Sequence, residues 1–320
     1  MRVPIHRIKG YIRHLKQLAF SRFRTDENAN KGNHLPLRIT GIRSFGEYSE
    51  YLRSMSAEYR SRNLTEQALG TEKGEFSVPG FCFVCDQRVS FSVDYSYGFQ
   101  NEEGRLLPNW REHLVCPGCR LNNRMRAAIH VFHEMCRPQP DCALYITEQT
   151  TPMYNWLKES FSNVVGSEFL GSSHSRGAIN ARGVRNEDLT SLSFADGQFD
   201  FVLSFDVFEH VQNYRKAFRE CRRVLKKGGV LFFTVPFDAH SAGNITRAEV
   251  QPDGTMTHLM TPEYHGDPLQ ESGCLCLRYF GWECLDELKS EGFTEAACYF
   301  YWSREYGYLG GDQLLFISKT

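Results

Sequence analysis

Apolar residues recur at helical spacing over the first part of this chain. Over residues 4–24, and again near residues 45–69, they return every three or four positions, which predicts two helices. Residues 25–35, TDENANKGNHL, have no such period and are predicted to form a linker. The sequence therefore predicts a helical N-terminal segment over residues 1–75, which we call the head.

The pattern becomes strand-like after the head. Residues 76–119 are rich in Val, Phe, Tyr and Ser, and the alternation in VSFSVDYSYGF predicts a pair of strands. A helix is predicted from about Leu121 to Cys136, because its apolar residues share one face and Pro138 follows it. Residues 76–137 are thus predicted to form a small second unit.

Strands and helices alternate over residues 138–320. The predicted order is a strand in CALYI, a helix after Pro152, strands in NVVGSEF, ARGVRNEDL and QFDFVLSF, a helix from Asn213 to Leu225, a strand in VLFFTVP, a helix from Trp282 to Ser290, and strands in FTEAACYFYW and DQLLFIS. Such alternation predicts an α/β fold with a mostly parallel sheet. The last two strands are joined by only a short link, so the last strand is predicted to be antiparallel.

The net charge of −1 hides a strong asymmetry along the chain. Residues 1–62 contain thirteen Lys or Arg and five Asp or Glu, a net charge of +8, which leaves −9 for the rest. A basic amphipathic helix in the head can pack on the acidic body or form a homodimer contact, and it can also lie on an anionic membrane. Nucleic acid is a less favoured partner, because no aromatic and basic surface pattern accompanies the charge.

The sequence predicts a cytoplasmic protein, peripheral at a membrane if the head binds one. It has no run of about 18 apolar residues, and its N-terminus lacks the apolar core and cleavage site of a secretory signal. Eleven cysteines without an export signal are typical of a reducing compartment, where thiols and metal sites are expected before disulfides.

Two cysteine pairs form the sharpest short motif. Cys82 and Cys85 make one C-x2-C turn, Cys116 and Cys119 make another, and residues 86–115 separate them. Each turn can direct two thiolates at one point, and two turns complete the tetrahedron that Zn²⁺ prefers. Four thiolates leave no open position, which predicts a structural zinc ion. Buried free thiols and a redox C-x2-C remain the alternatives.

A longer motif covers residues 187–236, EDLTSLSFADGQFDFVLSFDVFEHVQNYRKAFRECRRVLKKGGVLFFTVP. This string resembles the type 11 branch of class I S-adenosylmethionine-dependent methyltransferases. It has that family's acidic-Leu pair, its S-F-x-D-x-x-F-D turn into a strand, its D-V-x-E-H-V loop and its L-K-x-G-G turn. The resemblance covers about residues 140–320. It implies a Rossmann-like sheet and transfer of a methyl group from S-adenosylmethionine.

The resemblance also implies which residues contact the cofactor. The residues at the matching positions are Glu148 at the end of the first strand, Glu168 facing the ribose hydroxyls, Asp188 with Leu189 at the adenine edge, and Phe205 with Asp206 at the methionine end. They follow the carboxyl ends of predicted parallel strands, where open α/β sheets bind ligands.

The first of these strands is followed by an unusual loop. The family continues there with Gly-x-Gly, whereas residues 146–152 of this chain contain no glycine. Thr150 and Thr151 can replace the glycine contacts through their hydroxyl and N–H groups at a helix start. Alternatively, the cofactor site is lost and the protein is a binding scaffold.

Residues 238–280 form a long insertion at the position that covers the substrate in the resembled fold. Within it, His265 and Asp267 are two residues apart, and a histidine held by a carboxylate is a suitable general base. His210 is a second candidate. The sequence thus predicts methyl transfer to a small-molecule or glycan-type acceptor, with an RNA acceptor as the alternative enzyme function.

Overall fold

The computed structural model describes residues 36–70, 74–101 and 104–320. The helix predicted over residues 4–24 and the linker over residues 25–35 lie outside the described residues. No helix in these three ranges is long and apolar enough to cross a membrane.

The described residues form a central seven-stranded sheet with the order β1-β17-β18-β10-β9-β7-β8. Its strands are β1 (Ile39–Ile42), β7 (Ala143–Ile146), β8 (Asn163–Gly166), β9 (Phe199–Phe205), β10 (Leu225–Thr234), β17 (Glu295–Ser303) and β18 (Tyr308–Lys319). The four strands β8, β7, β9 and β10 pair in parallel. Every residue of β7 is buried, as expected for a strand with both faces covered.

The last strand, β18, lies between β10 and β17 and is antiparallel to both. A short turn joins β17 to β18 as a hairpin, because Ser303 pairs with Tyr308. The prediction of an antiparallel last strand is therefore confirmed. The edge strand β1 is also reversed, because it is antiparallel to β17, and the other five strands run in one direction. This mostly parallel sheet is the Rossmann-like arrangement that the sequence predicts.

Six α-helices accompany the strands in the described ranges. They are α1 (Phe45–Leu69), α2 (Trp110–His113), α3 (Asn123–Cys136), α4 (Pro152–Ser160), α5 (Tyr214–Val224) and α6 (Glu283–Ser290). Side chains that accept a backbone N–H start several of them, including Ser44 before α1 and Thr151 before α4. Apart from the short α2, the helices lie within two residues of their predicted bounds.

Two predicted strands are wrong in detail. The segment ARGVRNEDL forms no strand, and it joins the sheet only through an isolated bridge between Glu168 and Asn186. The alternation in VSFSVDYSYGF belongs to one strand, β3 (Gln87–Val93), which pairs with β2 (Phe76–Cys82). The remaining short strands are β4 (Phe99–Gln100), β5 (Leu106–Leu107) and β6 (Leu114–Val115).

Packing crosses the predicted divisions at residues 75 and 137. β1 extends the central sheet by pairing with β17, and Tyr48 of α1 stacks on Phe300 of that strand. Phe132 of α3 contacts Phe201 and Phe232 of the sheet edge to face. α1 and α3 are therefore layers of the main fold, because their apolar faces are buried against the sheet.

The insertion forms three small antiparallel ladders above the carboxyl ends of the parallel strands. Its strands are β11 (Ile245–Thr246), β12 (Ala248–Val250), β13 (Met256–His258), β14 (Tyr264–Asp267), β15 (Gln270–Leu275) and β16 (Arg278–Tyr279). Arg278 attaches the insertion to the body, since its guanidinium donates to the carbonyls of Val211 and Gln212. The insertion thus covers the sheet edge where the predicted site residues lie.

Candidate functional site

A cavity of about 1600 Å³ opens where the parallel strands end. Of the predicted site residues, the following line it: Glu148, Glu168, Asp188, Leu189, Phe205, Asp206, His210, His265 and Asp267. Residues near α2, including Tyr97 and Arg111, form a further wall. The cavity therefore brings together side chains from the sheet, the insertion and the segment that contains the cysteine pairs.

Thr150 is the one predicted cofactor residue that does not line the cavity. Its N–H and its hydroxyl both donate to Oε1 of Glu168, at 2.9 and 2.8 Å, and the N–H of Gln149 donates to the same atom at 2.7 Å. The loop without glycine is therefore fixed by a carboxylate of the neighbouring strand. Thr150 thus holds Glu168 in place, whereas the sequence predicts that Thr150 contacts the cofactor itself.

A glycine at the end of β8 permits this close approach. A Cβ atom on Gly166 would lie 2.8 Å from the carbonyl oxygen of Glu148 and 2.5 Å from the ring of Tyr154. Both distances are shorter than a carbon side chain tolerates. Gly166 therefore lets the loop after β7 pack closely against the end of β8.

Asp206 lies directly after β9 in a left-handed backbone conformation, with φ of 54°. Arg111 contacts both of its carboxylate oxygens, at 3.1 and 2.9 Å, and Arg124 lies 3.3 Å from Oδ2. Thr234 donates to Oδ1 at 2.8 Å. Although burial acts in the opposite direction, the two arginines hold the pKa of Asp206 well below its usual value.

Neither arginine is predicted from the sequence as a site residue. Glu112 completes their network, because it binds Nε of Arg124 at 2.8 Å and accepts from Asn122 at 2.8 Å. Asn122 in turn caps α3 through the N–H of Met125. The methionine end of the predicted cofactor site is therefore connected to the segment just after the second cysteine pair.

Glu148 is a partly buried acid of the predicted cofactor set. Burial raises its pKa to about 7, even though the nearby Arg124 favours the charged form. Asp188 is closer to solvent, and its Oδ1 accepts from both the N–H and the hydroxyl of Thr190 at 2.8 Å. Leu189 packs in the core cluster beside it.

The predicted pairing of His265 with Asp267 is wrong. The Asp267 carboxylate accepts from the N–H of Leu269 at 2.8 Å and closes its own turn. His265 contacts two other carboxylates: its Nδ1 lies 3.3 Å from Glu209 and its Nε2 lies 3.2 Å from Glu263. A register shift explains the error. Residues two apart on a regular strand share a face, but the pairing of β14 with β15 is irregular between His265 and Asp267.

His210 and Glu209 belong to a 3₁₀ turn, Phe208–His210, that follows β9. His210 lies 4.9 Å from His265, ring centre to ring centre, and its Nε2 is 3.5 Å from Oε1 of Glu209. We call Glu209, His210 and His265 the imidazole cluster. The motif D-V-x-E-H-V contains two of its members, yet only the fold brings the third.

The electrostatics of His265 are set by two neighbouring side chains. The thiol of Cys276 and the carboxylate of Glu209 beside it raise the pKa of His265 to about 10. Burial raises the pKa of Glu209. The general-base role of His265 stays a prediction.

The four predicted zinc ligands meet at one point, and we call them the cysteine cluster. Their sulfur atoms all lie within 4.8 Å of one another. Cys82 is 3.8 Å from Cys119, and Cys85 is 3.7 Å from Cys116. A tetrahedron of sulfurs about 2.3 Å from a zinc ion has edges of about 3.8 Å, so these residues fit the ion. The separations exclude disulfides, whose sulfurs are about 2.05 Å apart.

Comparison with known proteins identifies part of the chain. Residues 150–233 match the family model described as a methyltransferase domain. No curated protein matches this sequence.

Solved structures with similar folds are only distantly related in sequence. An S-adenosylmethionine-dependent methyltransferase from Mesorhizobium loti is 15% identical, with 60% of this chain and 98% of that chain covered at a TM-score of 0.36. The 1,6-didemethyltoxoflavin-N1-methyltransferase from Burkholderia thailandensis is 12% identical, with 61% and 77% covered at a TM-score of 0.35.

Proposed function

We propose that this chain, which carries a class I S-adenosylmethionine-dependent methyltransferase domain, methylates a small, hydroxyl-rich acceptor of the glycan type inside the cavity. The volume of that cavity is the observation that supports the proposal. A drug-sized ligand needs about 300–1,000 Å³, and the cavity holds about 1600 Å³. It can therefore hold the cofactor and a second molecule together.

The charge of the lining favours a cationic cofactor and a neutral acceptor. Among the described residues, ten Asp or Glu line the cavity, against two arginines that are themselves paired with Asp206 and Glu112. The positive sulfonium of S-adenosylmethionine is attracted to such a lining, whereas the phosphates of an RNA are repelled by it. This observation disfavours the alternative RNA acceptor.

The residues have separate tasks in this proposal. Glu168, held by the first loop, accepts hydrogen bonds from the ribose hydroxyls, and Asp188 with Leu189 borders the adenine. Phe205 and Asp206 border the methionine end. The acceptor oxygen lies on the His210 and His265 side, in line with the methyl–sulfur bond. Alignment of the two reactants supplies most of the rate in such a displacement.

The cysteine cluster is proposed to bind a structural Zn²⁺. When bound, the ion would fix the turns of the two cysteine pairs in a segment that has little core of its own. The cluster lies close to α2, so the ion would also hold Arg111 at the cavity. Membrane contact and homodimer formation through the head remain predictions, because the basic helix predicted over residues 4–24 lies outside the described residues.

Thermal unfolding with S-adenosylmethionine and S-adenosylhomocysteine tests the cofactor site. We expect stabilisation of the wild-type protein, and weaker stabilisation of Glu168→Gln and Asp188→Asn. Glu249→Gln, an exposed acid of the insertion, serves as the matched control and should behave as wild type. Absence of stabilisation by either ligand at millimolar concentration would refute the enzyme proposal and favour the scaffold.

Transfer of labelled methyl groups tests the acceptor. Wild-type protein would be incubated with labelled S-adenosylmethionine and either small hydroxylated metabolites or total RNA. Incorporation into the small-molecule fraction supports the proposal. Incorporation into RNA alone would overturn the acceptor assignment while leaving the cofactor site intact.

A further inference from the structure

The imidazole cluster has the spacing of a metal-ligand set. Oε1 of Glu209 lies 3.3 Å from Nδ1 of His265 and 3.5 Å from Nε2 of His210. One ligand atom from each of the three residues lies within 4.8 Å of the others. Donor atoms about 2.1 Å from one transition-metal ion are about 3.0–3.4 Å apart, so a small inward movement of the side chains completes the set.

Glu209 provides an independent observation. It is fully buried, and neither of its carboxylate oxygens accepts a hydrogen bond of normal geometry from the described residues. An ionised carboxylate in such surroundings is costly unless a cation or a donor compensates it. Its oxygens face the two imidazoles beside the cavity, where a cation would be bound by all three residues.

Each imidazole is oriented through its other nitrogen. Nδ1 of His210 lies 2.8 Å from the carbonyl oxygen of Leu275, which can only accept, so this nitrogen donates. Nε2 of His265 lies 3.2 Å from Glu263, so the nitrogen turned to Glu209 is Nδ1. Histidines that bind metals are commonly held in this way by a carbonyl or a carboxylate.

The cluster is open on one side. His210 and His265 both line the cavity, next to the strand end that carries Asp206. Asp206 is not available as a ligand, because Arg111, Arg124 and Thr234 occupy its oxygens. Three protein ligands leave positions for one or two further oxygen atoms, as in catalytic metal sites.

We propose that Glu209, His210 and His265 bind a divalent transition-metal ion that holds the acceptor hydroxyl next to the methyl donor. Two imidazoles and one carboxylate favour Mn²⁺, Fe²⁺, Co²⁺, Ni²⁺ or Zn²⁺ over Mg²⁺ and Ca²⁺. The inference that the ion binds depends only on the three side chains. Its role with the acceptor rests on the proposed function.

The chemistry balances without a further reactant. A metal ion lowers the pKa of a bound hydroxyl, whose proton passes to water. The oxygen then forms a bond to the methyl carbon while the methyl–sulfur bond breaks and its electron pair stays on sulfur. The products are the methyl ether, S-adenosylhomocysteine and one proton. No protein side chain has to act as the base.

Metal titration of the full-length protein tests the site. The wild-type protein would be treated with dipicolinate, which removes ions from open sites faster than from a closed thiolate site, and then titrated with MnCl₂ and CoCl₂. Mn²⁺ would be followed by electron paramagnetic resonance and Co²⁺ by its visible absorption. We expect one equivalent to bind.

Variants assign the ion to the cluster. Glu209→Gln and His265→Asn are expected to weaken binding at least 100-fold, while His258→Asn, an exposed histidine of the same insertion, should bind as wild type. Far-UV circular dichroism and S-adenosylhomocysteine binding check that the variants fold. Absence of binding to stripped wild-type protein at millimolar Mn²⁺ and Co²⁺, or equal binding by folded variants, would overturn the proposal.

The outcomes separate this proposal from the proposed function. Metal binding without any response to S-adenosylmethionine would preserve the metal site and refute the methyltransferase proposal. Methyl transfer at full rate by stripped, metal-free protein would refute the role of the ion in the reaction. Recovery of the methyl-transfer rate on addition of Mn²⁺ or Co²⁺ to the stripped wild-type protein, but not to Glu209→Gln, supports both the metal site and the role of the ion in the reaction.

Discussion

The cysteine cluster and the imidazole cluster are two groups of possible metal ligands with opposite character. The first has four identical donors, two of them fully buried, and fits an ion that only stabilises structure. The second has three mixed donors and borders the cavity. The comparison teaches that the number of protein donors and access from a cavity together distinguish a structural site from a site for chemistry.

The largest expected effect is on the cysteine cluster. Cys82→Ser should lose its zinc and lower the unfolding temperature by more than 10 °C, because metal binding and folding of a segment with so small a core are one process. Metal analysis and thermal unfolding measure this, with Cys136→Ser, a cysteine of α3 outside the cluster, as the control. A Cys82→Ser protein with a full equivalent of zinc and unchanged stability would refute the site.

The imidazole cluster should affect the rate more than the stability. His265→Asn is expected to lower kcat at least 100-fold, since the acceptor would lose its positioning, while the zinc content stays at one equivalent. Asp267→Asn should lower kcat by less than tenfold, because its carboxylate closes a turn at Leu269. Steady-state kinetics decide, and an equal loss in both variants would restore the pairing that the sequence suggested.

A smaller effect is expected where the two regions are connected. Arg111→Ala removes the two contacts of the guanidinium with Asp206, so S-adenosylhomocysteine should bind about tenfold more weakly, or about 1.4 kcal/mol. Arg88→Ala, which removes an exposed ion pair of the same segment with Glu305, is the control. Calorimetry that gives equal affinities for both variants would show that the connection has no influence on the cofactor.

A separate effect concerns the pH dependence of stability in the ligand-free protein. Glu148 has a pKa of about 7 when folded, above its unfolded value of 4.5, so its contribution is present at pH 4 and is lost as the pH rises through 7. Glu148→Gln removes this dependence and should gain roughly 3 kcal/mol relative to wild type between pH 4 and pH 8, at about 1.4 kcal/mol per pKa unit. Denaturant unfolding at both pH values measures it, and parallel curves would contradict the assignment.

The sequence predicted a feature correctly where all the residues that define it lie in one short segment. The cysteine pairs, the helices and the reversed last strand all follow from local spacing, and the family motif covers the strand ends that line the cavity. Contacts between distant segments could not be predicted in this way. Arg111 and Asp206 are 95 residues apart, and Glu209 and His265 are 56 apart, so only the folded chain shows that they meet.

Local rules also failed where polar groups replaced regular structure. ARGVRNEDL lies where the order of strands and helices predicts a strand, but Asn186 uses its side chain to bind the N–H of Leu170 and the carbonyl of His174. These side-chain hydrogen bonds pair backbone N–H and carbonyl groups of the loop, so these groups do not require the hydrogen bonds of a strand ladder. The first loop shows the same principle, because Glu168 fixes it without any glycine.

The pairing of β1 with β17 has a consequence for the synthesis of this protein. Ile42 pairs with Cys298, so the ribosome must make more than 250 further residues before the first strand of the sheet finds its neighbour. At about 5–20 residues per second, this takes on the order of ten to fifty seconds. During that time β1 and the apolar face of α1 are exposed on the nascent chain, which makes this end of the protein a target for chaperones that bind at the ribosome exit.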